Sequence, residues 1–191
     1  MAVERQPVRK EYEQLGVAGF YKSQSRSYRN PHEPAIRMLM HRLIIDWNLN
    51  LSCVLDLAAG SGEITMALRE MPESNAGKIH GIDPMTFEAY EARTGQKAGR
   101  ESFEAIAAGA LRGRNYSLII CSFAMHLLEP SRLPMLAMEL TQISPALLIL
   151  TPHKRPEIRH DWGWKLAKET VQQRVRARVY AGTDGAPPDM R

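Results

Sequence analysis

Apolar positions along this chain follow two spacings that alternate. Ile36, Leu39, Met40, Leu43, Ile44 and Trp47 recur every three or four residues and predict a helix starting near Pro34, a residue suited to a first turn. The run Leu51 to Leu57 is too short for a helix and leads into glycines, so it reads as a buried strand. A second helix follows Gly62 with Ile64, Ala67, Leu68 and Met71 on one face. A polar loop then leads to a short strand, Ile79 to Ile82, closed by Asp83, and to a helix over Thr86 to Thr94.

The same alternation continues. Lys97 to Phe103 is expected as a third strand, although it lacks β-branched residues, and Glu104 to Leu111 as a helix. Tyr116 to Ser122 and Ala146 to Thr151 are apolar strands on either side of a helix over Arg132 to Ile143. Asp161 to Gln173 reads as a helix, and Arg174 to Tyr180 alternates as a half-buried strand with its arginines on one exposed face. Strands alternating with helices define an α/β fold: a doubly wound, mostly parallel sheet with helices on both faces. Residues 34–180 form this domain, residues 1–33 an N-terminal arm, and residues 181–191 a tail.

Composition adds little to the fold and something to the setting. At 191 residues the chain has room for one core. No apolar run approaches the roughly 18 residues that cross a bilayer, and the charged N-terminus has no signal-like stretch. Cys53 and Cys121 lie in apolar runs and are expected as buried thiols, which fits a cytoplasmic protein, with nucleus and mitochondrion left open. The net charge of +4 conceals an asymmetry. Residues 1–45 carry eight Lys/Arg against four acids, residues 151–191 carry nine against five, and the stretch between carries eight against twelve. If both ends fold to one side they form a positive rim over an acidic body, suited to an anionic partner.

The chemistry begins at Val54 to Gly62, where a strand ends, two glycines follow and a helix starts at once. Open parallel sheets bind ligands beyond the carboxyl ends of their strands. Gly60 and Gly62 let a ligand approach the backbone, and the new helix offers free N–H groups. Asp83, closing the next strand, can accept hydrogen bonds from both hydroxyls of a ribose. An adenosine-type cofactor follows from this layout. The dinucleotide fingerprint does not fit it, because Thr65 stands where a third glycine is needed and Asp56 lies within the first strand.

VLDLAAGSGEITMAL resembles motif I of class I S-adenosylmethionine (SAM)-dependent methyltransferases, and GIDPM resembles their second motif. The likeness runs from about Pro34 to Thr151. It implies a Rossmann-like methyltransferase fold with SAM as cofactor. The backbone around Ala58, Gly60 and Gly62 would then touch the methionine part, with Asp56 and Ser61 also among the cofactor-binding residues, Asp83 would hold the ribose, and Pro84 and Met85 would pack on one adenine face. Glu101, Ser102 and Phe103 fall where the family places its third motif, near the adenine amino group. YSLIICSFAMHLL resembles the fourth-strand motif, whose end (Ser122, Phe123, Ala124) floors the methyl-transfer pocket. Ala58 stands where glycine is common, and Ser117 where an Asp is usual. The family usually closes its sheet with a further antiparallel strand. None is legible after Tyr180, so a sheet one strand short at the C-terminus is expected.

Methyl transfer from a sulfonium needs alignment more than acid–base chemistry. His126 and His153 follow the fourth and fifth expected strands and are the candidates for a base or an acceptor contact. Lys154 and Arg155, beside His153, suit an anionic acceptor, RNA among them. Tyr21 and Tyr28 in the arm are candidates to line the cofactor, with Asn30 and His32 nearby. Metal-ligand spacing is absent. A second reading keeps the fold without the catalysis, as a binding or assembly protein with a protein partner.

Overall fold

The computed structural model describes residues 26–72 and 75–183. Its elements run α1 (Glu33–Trp47), β1 (Cys53–Leu57), α2 (Glu63–Glu70), β2 (Lys78–Ile82), α3 (Phe87–Thr94), α4 (Phe103–Ala107), β3 (Leu118–Ser122), α5 (Leu133–Thr141), β4 (Ala146–Thr151), β5 (Trp164–Gln172) and β6 (Val175–Gly182). The strands form one sheet in the order β2-β1-β3-β4-β6-β5. The first four neighbours pair in parallel, and β6 runs antiparallel to both β4 and β5. This is a mixed, mostly parallel sheet with helices on both faces.

Burial on both faces explains why β1, β3 and β4 are nearly continuous apolar runs. Alternate side chains divide between two cores. Val54, Leu118, Ile120, Leu148 and Leu150 pack with α1 and α2, and Leu55, Ile119, Leu147 and Ile149 pack with α4 and α5. β2 carries Gly81 where any Cβ would lie 2.2 Å from the Tyr90 ring, so α3 can dock directly on its backbone.

Three expectations fail at the two ends of the sheet. The strand expected over Lys97 to Phe103 is reduced to a single bridge between Ile82 and Gly99, and the helix after it closes at Ala107. The helix expected over Asp161 to Gln173 is instead a short 3-10 turn, His160–Trp162, and then the strand β5. The sheet is therefore not short at its C-terminus. Arg174 to Tyr180 supplies the antiparallel strand inserted beside β4, and β5 forms the edge. β6 runs on to Gly182, two residues into the segment read as a tail.

The arginines of β6 also depart from expectation. Arg178 is only 3% exposed. Its guanidinium pairs with Glu169 and Glu157 and donates to the Lys154 and Pro156 carbonyls at 2.8 and 2.9 Å. A buried guanidinium is tolerated because its donors find acceptors. The opposite end of β5 is fixed by Trp164, which is 0% exposed and donates its indole N–H to the Ala137 carbonyl at 2.8 Å. Among the described residues, no helix is long and apolar enough to cross a membrane.

Candidate functional site

The carboxyl ends of β1, β2 and β3 surround a cavity of about 370 Å³. That volume lies within the range of about 300–1,000 Å³ typical of small-molecule sites. The backbone around it is tightly specified. Ala58 and Gly60 take φ of 55° and 60°, and Phe123 takes 57° just after β3. Left-handed backbone costs a residue with a Cβ roughly 1–2 kcal/mol, so Ala58 and Phe123 are held there by their surroundings. At Gly60 a Cβ would stand 2.8 Å from Glu63 Oε2 and 3.3 Å from the Tyr28 ring.

Asp83 forms the second wall. It is 7% exposed, and its carboxylate accepts the Gly60 N–H at 3.0 Å and the Met85 and Thr86 N–H groups at 2.8 and 2.7 Å. Three of roughly four lone-pair sites are thus filled by backbone, leaving one on Oδ2 for another donor. Asp56 lies deeper, accepting the Thr65 N–H and hydroxyl at 3.1 and 2.7 Å. Burial pushes its carboxyl up to about 8, and the nearby Glu63 and Asp83 charges add to this against the Thr65 hydrogen bonds.

Of the sequence candidates, Asp56, Ala58, Gly60, Asp83, Pro84, Met85, Ser102, Phe103, Ser122, Phe123 and Tyr28 line this cavity. Ser61, Gly62 and Glu101 do not, and each has a local reason. Ser61 is buried, and its N–H and hydroxyl both bond Glu63. Gly62 turns its N–H to the Ala59 carbonyl at 2.8 Å. Glu101 lies against Gly99 with Arg114 3.8 Å away. Tyr21 lies outside the described residues. The Ser122 hydroxyl is buried, lines the cavity, and has no hydrogen-bond partner among the described residues.

Glu63 was missed. It is 5% exposed, lines the cavity, and joins three parts of the chain. Its Oε1 accepts the Asn30 N–H at 3.1 Å, its Oε2 accepts the Ser61 N–H at 3.2 Å, and Arg93 stands 3.9 Å away, itself paired with Glu33. An acid at the first position of a helix is favoured by the dipole, which was the available signal. Through Glu63 the segment around Asn30 is fastened over the glycine turn. His32 stacks on Phe123 with centroids 4.9 Å apart and planes 22° apart, fastening it again. Thr86, Glu104, Leu127, Leu128, Glu129 and Arg132, also on the wall, had not been singled out.

His126 and His153 do come together, but not on the cavity wall. Their rings meet edge to face with centroids 4.6 Å apart. Ala124 and Leu127, on either side of His126, line the cavity while the His126 ring turns toward His153. Burial, then the neighbouring His153 charge, pushes His126 down to about 4. It is therefore neutral near pH 7 and a poor proton acceptor.

The strand order, the antiparallel strand beside β4 and a cavity at a glycine turn define the class I SAM-dependent methyltransferase fold. The chain superposes on magnesium protoporphyrin IX methyltransferase of Synechocystis PCC 6803, solved with bound SAM, at a TM-score of 0.57. Identity there is 14%, over 94% of this chain and 98% of that one. It also superposes on an rRNA methylase from Escherichia coli at a TM-score of 0.55 and 12% identity, over 78% of this chain and 65% of that one. A chain of the complex between the Haloferax volcanii Trm112 methyltransferase activator and a methyltransferase gives a TM-score of 0.60 at 12% identity, over 94% and 99%. These likenesses establish the fold. The chain belongs to the family of uncharacterized protein C17A5.05c of Schizosaccharomyces pombe, to which it is 31% identical over 217 residues, covering 86% of this chain and 88% of that protein. No protein-family model matches the chain.

Proposed function

We propose that the protein is a SAM-dependent methyltransferase acting on an anionic acceptor. One observation carries the reading: the glycine turn after β1 and the Asp83 carboxylate after β2 face one cavity, whose wall also holds the Ser122 hydroxyl, without a hydrogen-bond partner among the described residues. The residues fit the cofactor. Glu63 and Asp83 suit a ligand bearing a sulfonium and an ammonium. The bare backbone of Gly60, on the cavity wall, lets its methionine part lie against the turn. The remaining acceptor site on Asp83 suits a ribose hydroxyl, and Pro84, Met85, Ser102 and Phe103 offer a mostly apolar seat for adenine. When bound, SAM supplies an electrophilic methyl group.

This chain's own residues supply alignment and the exclusion of water. Tyr28 and Asn30 lie on the cavity wall, and the arm they belong to is fastened through Glu63 and Phe123. Ser122 and Phe123 stand at the end of β3, where an acceptor would approach in line at about 3 Å. The Haloferax and Escherichia structures make both protein-assisted and RNA-directed methylation reasonable settings, and the basic ends of this chain favour an anionic acceptor.

Titration calorimetry with SAM is the direct test, with NAD as the control. Saturable binding of SAM alone is expected, followed by transfer of a labelled methyl group into an extract fractionated into RNA, protein and metabolites. Absence of SAM binding by the folded protein refutes the reading.

A further inference from the structure

The β5–β6 turn, the loop after β4 and α1 come together at one edge of the sheet. β5 and β6 are joined at Gln173 and Arg174, and the pairing of Thr151 with Arg176 sets that turn beyond the carboxyl end of β4, on the edge that holds the cavity. Gln173 Nε2 touches Met38 of α1 at 3.5 Å, so α1 borders the same turn. The loop after β4 begins there too, with His153, Lys154 and Arg155 in succession.

Most cations near this edge are neutralised. Arg37 pairs with Glu33 and Glu70, Arg42 with Asp46, Arg176 with Glu169, and Arg178 with Glu169 and Glu157. The acids of these pairs are thereby engaged as well, while Glu104 and Glu129 stand on the cavity wall. Lys154, Arg155 and Arg174 are all exposed and have no ion pair among the described residues. The backbone carrying Lys154 and Arg155 is held in place, because the buried Arg178 donates to the Lys154 and Pro156 carbonyls.

Planar groups lie along the same edge of the sheet. His32 is exposed and stacked on Phe123, which lines the cavity mouth, and His126 and His153 meet edge to face beside it. Cations that track a backbone, followed by rings that can receive bases, are the arrangement used for single-stranded nucleic acid. A recessed cavity at the strand ends cannot reach a base inside a duplex.

Building on the methyltransferase reading, we infer that Lys154, Arg155 and Arg174 form a docking rim for the phosphates of single-stranded RNA, the acceptor of this site. Free cations alone would serve any polyanion. The exposed His32 ring, stacked on Phe123 of the cavity wall, favours RNA over an acidic polypeptide.

The test is fluorescence anisotropy with a labelled oligouridylate and the full chain. Three phosphate contacts predict that affinity falls about 20-fold as salt rises from about 50 to 200 mM. The Lys154→Ala/Arg155→Ala/Arg174→Ala variant is expected to lose most of this affinity and to flatten the salt dependence, with SAM calorimetry and thermal melting unchanged. Lys165→Ala/Lys168→Ala, on the β5 edge, is expected to bind as the parent does. The inference is overturned if the parent binds no oligouridylate, if the triple variant binds equally well, or if polyglutamate competes as strongly as RNA. Binding of SAM without RNA removes the rim alone. Binding of RNA without SAM supports the rim and removes the methyltransferase reading.

Discussion

The Gly60 amide donates to Asp83 Oδ2 at 3.0 Å, and this bond ties the turn after β1 to the end of β2. Asp83 also accepts two amides at the start of the segment leading into α3, so one carboxylate organises two loops as well as facing the cavity. Asp83→Ala is therefore expected to weaken SAM binding by about 1–3 kcal/mol, or roughly 5- to 150-fold, and to lower stability as well. Asp83→Asn keeps one acceptor oxygen and should fold better while still binding SAM more weakly. Calorimetry beside thermal melting separates the two effects; unchanged affinity in both variants would take Asp83 out of the site.

Gly60→Val should abolish SAM binding. At φ 60° a side chain is strained whatever the space, and its Cβ would press on Glu63 Oε2 and the Tyr28 ring. Displacing Glu63 also loosens Asn30 and the arm. The check is circular dichroism to establish the fold, then calorimetry. Normal binding by a folded variant would mean that the turn has been assigned the wrong role.

How much of this was legible in the sequence depended on burial. β1, β3 and β4 are covered on both faces, so their runs of Val, Leu and Ile announced them. β5 is an edge strand, with Lys165, Leu166, Val171 and Glu169 all exposed, so no apolar alternation marked it. Its Lys, Glu, Ala and Leu content is that of a helix, and pairing with β6 overrode that preference. Gly60 and Asp83, singled out by their spacing after the first two strands, do line one cavity. Glu63 was not, because its role arises from Asn30 and Arg93, which lie far from it in the sequence. The expected strand at Lys97 failed for want of β-branched residues, as its composition had indicated.

The buried Asp56 and the half-buried His126 should give stability opposite slopes with pH. Asp56 titrates near 3.8 in the unfolded chain and about 8 in the folded one. Between those values the folded state holds more protons, so stability falls as pH rises. Asp56→Asn cannot titrate and keeps an oxygen for Thr65, so this decline should shrink. His126 is the reverse case, about 4 when folded against 6.5 unfolded, and its contribution is lost as pH falls through that window. His126→Gln should flatten the acid limb. Urea unfolding across this pH range measures both, and parent-like slopes in the two variants would show that neither group governs them.

The turn between β5 and β6 sets fold against function. Gln173 and Arg174 take φ of 47° and 65°, the left-handed pair of a tight hairpin turn, for which Asn-Gly is the favoured sequence. Gln173→Asn/Arg174→Gly should therefore stabilise the protein by about 1 kcal/mol, raising Tm by roughly 2–4 °C. Gln173→Asn alone should give part of that gain and leave the cation in place. If Arg174 stands there for the phosphates of an acceptor, the double variant melts higher yet binds oligouridylate more weakly, while the single variant melts higher and binds as before. A residue that the turn disfavours and the ligand requires is what a local conflict at a binding surface looks like. If the double variant melts no higher than the parent, the turn carries no such conflict.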